Sequence, residues 1–267
     1  MGSDVNLKAI VLAAGKGTRL QTGDGDSPKV MRPVCGRSLL WYVLDALSFI
    51  EKRDIAIVVG YKKDDVIDHF PGYTYAEQTE QLGTGHAVMA AREVLAGFNG
   101  AVLVCYGDMP AIRRDTYEAL VKTHFRENNE CTILTSEAKF TQGGPKIPLE
   151  YGRVVRGRDG GFLQVVEDRD CTPEQRLITE LNSGVYTFNA QPLLEALKHL
   201  NNDNTQNEYY LTDVPAILLA GGARVGILRR DMGDEILGVN TLAQLEQAEE
   251  IMHGRSYPSF LHALTFL

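Results

Sequence analysis

Chemistry is concentrated early in the chain, in Leu12-Ala-Ala-Gly-Lys-Gly-Thr-Arg-Leu20. Glycines at 15 and 17 let backbone N–H groups approach phosphate oxygens, Arg19 offers a bidentate fork, and Lys16 adds a point charge. The segment therefore reads as anion-binding chemistry. Glycines that merely permit a tight turn are the other reading, and a lone Gly-x-Gly leaves both open. Two familiar nucleotide motifs do not fit: the dinucleotide fingerprint needs glycine where Leu20 stands, and the Walker pattern needs Gly-Lys-Ser/Thr after a four-residue spacer. A second cation, Lys29, follows in Ser27-Pro-Lys29 behind a Gly/Asp-rich loop, residues 22–26, expected to be mobile and to close over a ligand. Arg19 and Lys29 then share one polyphosphate. Asp108 ends an apolar run in Tyr106-Gly-Asp108, where a carboxylate is costly unless paired, metal-bound or used as a helix cap before Arg113.

These residues need a frame. Lys8–Ala14, Ile55–Gly60 and Ala101–Gly107 are short, nearly continuous apolar runs, the pattern of strands buried on both faces of a parallel sheet. Helical spacing falls between them, over Ser38–Ile50 and Thr84–Leu95. Strand, helix, strand alternation predicts right-handed crossovers and a Rossmann-like, doubly wound, mostly parallel α/β sheet, which carries the glycine turn at its carboxyl edge. A helix over Arg113–Asn128 and a strand over Cys131–Ser136 continue the pattern before it loosens in the Gly/Pro-rich stretch 142–148. Beyond it, Tyr151–Arg156 and Phe162–Val166 predict a hairpin, Leu181–Phe188 a strand, and Gln191–His199, Val214–Ala220 and Thr241–His253 helices.

The 267 residues carry 27 Lys+Arg against 35 Asp+Glu, a net charge of −8 without any basic run, which argues against nonspecific nucleic-acid binding. No stretch is apolar enough to span a membrane, and Met1–Leu7 lacks the features of a secretory signal, so a cytoplasmic location is expected. Cys35, Cys105, Cys131 and Cys171 lack zinc or disulfide spacing and read as packing residues.

The glycine turn with Ser27-Pro-Lys29 resembles the sugar-1-phosphate nucleotidyltransferases. Further blocks narrow it: Gln78-Thr-Glu-Gln-Leu-Gly-Thr-Gly-His-Ala87, Tyr106-Gly-Asp-Met-Pro110, Tyr151-Gly-Arg153, Glu167, Leu181-Asn-Ser-Gly-Val185, Asn207-Glu-Tyr-Tyr-Leu-Thr-Asp213 and Gly238-Val-Asn240. Together they resemble the uridyltransferase domain of bifunctional bacterial N-acetylglucosamine-1-phosphate uridyltransferases, over about Leu7–His253.

The resemblance implies transfer of the uridylyl group of UTP to N-acetylglucosamine 1-phosphate, with Mg²⁺ as cofactor. By it, Leu12, Ala13, Ala14, Gly15, Gly17, Gln78, Gly83, Thr84, Tyr106 and Gly107 contact the nucleotide, with Gln78, Gly83 and Thr84 reading uracil. Arg19 and Lys29 steady the phosphates and the departing pyrophosphate, Asp108 and Asn240 hold the metal, and Gly152, Glu167 and Asn182 hold the sugar in a smaller β region. Plainer roles compete at two positions, a helix cap for Asn240 and an N-cap for Thr84. The resemblance gives His86 no role, and helix packing is expected for it. Residues 7–240 form the expected nucleotidyltransferase domain and 241–267 a C-terminal helix and tail. The chain ends within 14 residues of His253, so no acetyltransferase β-helix is expected, and the apolar tail from Ser256 could mediate oligomerisation. Two alternatives are a uridylyl- or thymidylyltransferase for another hexose 1-phosphate and a non-catalytic nucleotide-sugar sensor on the same fold.

Overall fold

The computed structural model describes residues 6–20, 27–138, 140–141, 144–145 and 150–256. Four parallel strands, β1 (Leu7–Leu12), β2 (Ile55–Val59), β3 (Thr74–Glu77) and β4 (Ala101–Tyr106), lie in the spatial order β4-β1-β2-β3. The apolar runs at β1, β2 and β4 are buried almost completely, because helices cover both faces. Alternation along each strand divides them: Ala9, Val11, Leu103 and Cys105 pack on one face and Ile10, Leu12, Val102 and Val104 on the other. The first face is covered by α1 (Leu39–Ala46), α2 (Lys63–His69) and α4 (Arg114–Glu127), the second by α3 (Thr84–Ala90), α5 (Ala190–Leu197) and α6 (Val214–Ala220). This is the doubly wound arrangement the sequence predicts.

The remaining strands turn the sheet mixed: β5 (Cys131–Glu137), β6 (Arg153–Arg156), β7 (Phe162–Val166), β8 (Glu180–Asn189) and β9 (Val225–Arg230). The long β8 joins the two regions. Its later half pairs antiparallel with β4, Tyr186 opposite Val104, while its start runs past the end of β4 and pairs with β6, Leu181 opposite Arg153. Because β8 is antiparallel, its start and the β6–β7 hairpin fall beyond the carboxyl ends of β1 and β4. A bulge between Asn182 and Tyr186 contains Gly184 at φ +78°. A Cβ at Gly184 would stand 2.2 Å from the Tyr106 ring, so only glycine lets β8 pass the end of β4.

Three elements carry too little pattern to be foreseen. In α2 only Val66 is fully buried, β3 is a four-residue edge strand, and β9 is an edge strand of mostly half-exposed residues parallel to β5. Expected helix ends also contract, α1 stopping at Ala46 and α3 passing into a 3₁₀ turn over Arg92–Leu95. α7 (Leu242–Ser256) docks Ala248 and Met252 against Val34, Leu39 and Ala111. The four cysteines are free, three of them buried, in keeping with packing roles. Among the described residues no helix is long and apolar enough to cross a membrane. The expected mobile loop at 22–26 and the tail at 257–267 lie outside the described residues, as does most of 142–148.

Candidate active site

At the carboxyl edge of β1 and β4 lies a cavity of about 450 Å³, within the usual range of small-molecule sites. Leu12, Ala13, Ala14, Gly15, Arg19, Lys29, Gln78, Gly83, Thr84, Tyr106, Asp108, Gly152, Glu167, Asn182 and Asn240 all line it. Gly17 and Gly107 are absent from its wall, and each has a packing reason instead. Gly17 takes φ +65°, and a Cβ there would stand 2.6 Å from Lys29 Cβ, so this glycine makes room for the lysine stem. A Cβ on Gly107 would crowd Val30, Leu40 and the Leu12 carbonyl at 3.2–3.3 Å.

Lys29 occupies the centre of the cavity's charged end. Its Nζ contacts Asp108 Oδ2 directly and donates to Asn240 Oδ1 at 2.9 Å. Backbone pairing brings these distant residues together: Val239 N–H donates to Asp108 O at 2.9 Å, while Tyr151 OH donates to Ile236 O and accepts from Gly238 N–H. Burial pushes the Tyr151 phenol up to about 12, against the Gly238 N–H bond that lowers it, so it stays a neutral strut. The helix-cap readings of both oxygen residues fail. The start of α4 is capped by Glu235, whose Oε2 accepts from Arg113 N–H and Thr116 Oγ1. At α7 the partners are Thr241 Oγ1 and Gln244 Oε1, leaving the Asn240 side chain to Lys29.

The opposite wall comes from the loop before α3. Gly83 takes φ +104°, and a Cβ there would meet Tyr209 O at 2.6 Å. That closeness lets Gly85 N–H donate to Tyr209 O and Tyr209 N–H to Leu82 O, so residues 82–85 and 209–211 are zipped together. Thr84 Oγ1 accepts from Leu211 N–H at 3.0 Å, a loop anchor rather than an N-cap. Gln81 Nε2 donates to Ala14 O at 2.9 Å and ties this loop to the glycine turn. Gln78 is buried, and its Nε2 lies 3.1 Å from both Gly83 O and His86 Nδ1. His86 thus adds a Gln78 contact to the packing role expected for it.

Gly152, Glu167 and Asn182 meet at the β6–β7–β8 end. Asn182 N–H donates to Gly152 O, and its side chain donates from Nδ2 to Tyr186 OH and accepts at Oδ1 from Gly184 N–H. A Cβ on Gly152 would stand 2.7 Å from Val165 Cγ1, so the glycine admits this packing. Glu167 Oε1 accepts from Thr212 Oγ1 at 2.9 Å, and burial pushes its carboxyl above the usual range. Arg19 is exposed, 3.5 Å from Glu150 Oε2. Tyr151, Gln81, Thr212 and Glu235 are the supporting residues that sequence reasoning missed, because each acts through contacts 45 to 122 residues away.

A single ammonium satisfying two converging side-chain oxygens is a stand-in cation, so Asp108 and Asn240 fit a hard divalent ion completed by ligand phosphate oxygens. Among the described residues no three His, Cys, Asp or Glu side chains gather as a protein-only metal cage.

The fold and cavity define an α/β protein with a pocket at the carboxyl edge of a doubly wound sheet, where such folds bind their ligands. Residues 9–213 match the MobA-like NTP transferase domain, and the chain belongs to that family. It is 39% identical over 252 residues to the bifunctional protein GlmU of Clostridioides difficile (strain 630), covering 94% of this chain and 52% of that protein. The GlmU of Lactococcus lactis subsp. lactis (strain IL1403) is 43% identical over 252 residues, with 94% and 53% covered. The chain therefore spans about half the length of the curated relatives it matches. In fold it is similar to a putative glucose-1-phosphate thymidylyltransferase from Bacillus anthracis, with a TM-score of 0.67 at 17% identity, over 92% of this chain and 94% of that one.

Proposed function

We propose that the chain transfers the uridylyl group of UTP to N-acetylglucosamine 1-phosphate, giving UDP-N-acetylglucosamine and pyrophosphate. The observation that carries this reading is the Lys29 ammonium between Asp108 and Asn240, inside a cavity with Gln78 and Gly83 on one wall and Gly152, Glu167 and Asn182 on another. Similarity to the two GlmU proteins across nearly the whole chain supports the same reading.

In the proposed reaction an oxygen of the sugar phosphate attacks the α-phosphorus of UTP, the bond to the β-phosphate oxygen breaks, and pyrophosphate leaves with the electron pair. The attacking phosphate is already ionised near neutral pH, so no general base is required. Catalysis then rests on positioning and charge neutralisation. The backbone of residues 12–15 holds the nucleotide, Lys29 and Arg19 offset charge on the β- and γ-phosphates, and Gln78 with Gly83 faces the base. Glu167 and Asn182 offer hydrogen bonds to sugar hydroxyl or acetamido groups. A divalent cation, Mg²⁺ in this proposal, held by Asp108 and Asn240, supplies further neutralisation of phosphate charge.

The test is pyrophosphate release from UTP and Mg²⁺ with N-acetylglucosamine 1-phosphate, glucose 1-phosphate and N-acetylgalactosamine 1-phosphate in parallel. Preference for the first is expected. Preference for another sugar would overturn the substrate while keeping the reaction, and silence with all three from protein that binds a UDP-sugar would make it a sensor.

A further inference from the structure

We propose that His86 is a positioning residue that locks the Gln78 amide with its oxygen toward the ligand, so that the site accepts the imide N–H of uracil and selects UTP over CTP. The inference rests on the reading of this cavity as a UTP site.

Gln78 is 6% exposed. Its Nε2 lies 3.1 Å from Gly83 O, and a carbonyl oxygen can only accept, so the nitrogen end is fixed on that side. The same nitrogen lies 3.1 Å from His86 Nδ1. One amide hydrogen points to each partner, and His86 Nδ1 must then present its lone pair. The ring proton then sits on Nε2, a tautomer set by the Gln78 amide. Gly83 O also accepts from Ala87 N–H at 3.1 Å, which uses its second lone pair. The acceptor left for a ligand is Gln78 Oε1, which no donor reaches among the described residues.

An acceptor held in that place discriminates. Uracil carries a hydrogen on N3 and cytosine a lone pair, so Oε1 forms a hydrogen bond with the first and faces electron repulsion from the second. A buried polar group built for one partner rejects the analogue that lacks it. Without the His86 acceptor one amide hydrogen loses its partner. Gly83 O alone then holds the amide, so turning it to offer N–H to cytosine N3 costs one hydrogen bond instead of two. The His86 ring also lies near the Tyr209 ring, tilted by 32° with ring centroids 6.4 Å apart.

The first test needs no variant. In ¹⁵N-histidine-labelled protein, the His86 ring is expected to show a protonated Nε2 and a bare Nδ1 near pH 8, and the opposite neutral tautomer would overturn the proposal. The second test compares His86→Leu, which removes the acceptor, with His86→Asn, whose side-chain oxygen restores one. In the leucine variant KM for UTP should rise about five- to tenfold, a lost hydrogen bond, and the UTP-over-CTP preference in kcat/KM should fall about tenfold. Its kcat at saturating UTP and its KM for the sugar phosphate should stay within about twofold, and asparagine should restore most of the UTP preference. A folded leucine variant with wild-type base preference would overturn the role. Absence of uridylyl transfer in the wild-type protein would sink the functional reading instead, and the tautomer would still report on His86.

Discussion

At Lys29 an ammonium satisfies Asp108 and Asn240 while lining the cavity, which makes it a counter-ion to the protein and, in the proposed reaction, a ligand for phosphate. Replacing it by methionine keeps most of the stem and removes the charge. Turnover at saturating UTP should fall by about 10²–10³, the usual effect of losing one charge-stabilising donor. Asp108 is 13% exposed on its side chain, and without the lysine it keeps a poorly solvated charge. The melting temperature of Lys29→Met should therefore drop in chelator and recover on adding divalent cation, more than the wild type responds. Equal metal responses in the two proteins would argue against a shared cation site. Glu167 offers a second residue-scale test, because burial raises its folded pKa above the unfolded value. The folded state then binds the proton more tightly, so this group contributes most at low pH and costs stability as pH rises through the carboxylate range and above. Glu167→Gln should melt higher than wild type at pH 7.5, with the gap closing on acidification below about pH 4.5. The same variant should raise KM for the sugar phosphate, which differential scanning fluorimetry and kinetics on one preparation would check.

Elements, rather than side chains, decide which residues reach the cavity. The start of α4 is capped from far along the chain by Glu235, in the 3₁₀ turn Gly233–Ile236 that leads into Gly238–Asn240. Glu235→Ala removes the acceptor for Arg113 N–H and Thr116 Oγ1, both near the helix start, and should cost about 1–2 kcal/mol in denaturant unfolding. A loss below a few tenths would show that water caps the helix as well. The loop zipped between residues 82–85 and 209–211 illustrates the same rule, since Gly83 and Gly85 exist there to let two backbones meet.

For the molecule as a whole, the long strand β8 makes one site from two regions. Its later half pairs antiparallel with β4 beside the glycine turn, and its start belongs to the hairpin region that carries Gly152 and Glu167. A ligand that spans both should stabilise the protein by mass action more than either part alone. UDP-N-acetylglucosamine at about 100 times its Kd should add about 2.7 kcal/mol to unfolding, and its Kd should lie well below those of UMP and of the sugar phosphate. Similar affinities for UMP and the UDP-sugar, measured by calorimetry, would mean that only the sheet side of the cavity is occupied.

Much of this molecule is written in local pattern. The apolar runs at β1, β2 and β4 cannot be exposed, and their alternation with helical spacing leaves few packings other than a doubly wound sheet. The glycine turn, Lys29, Asp108 and the blocks at Gln78 and Asn207 are likewise legible as residue types in order. Pairing across long separations is not written locally. That Lys29 meets Asp108 and Asn240 rather than solvent, that Glu235 caps α4, that Gly17 clears the Lys29 stem and that His86 turns toward Gln78 are tertiary facts. Side-chain chemistry and periodicity are properties of a segment, whereas a hydrogen-bond partner is chosen only when strands and loops distant in sequence are brought to one edge of the sheet.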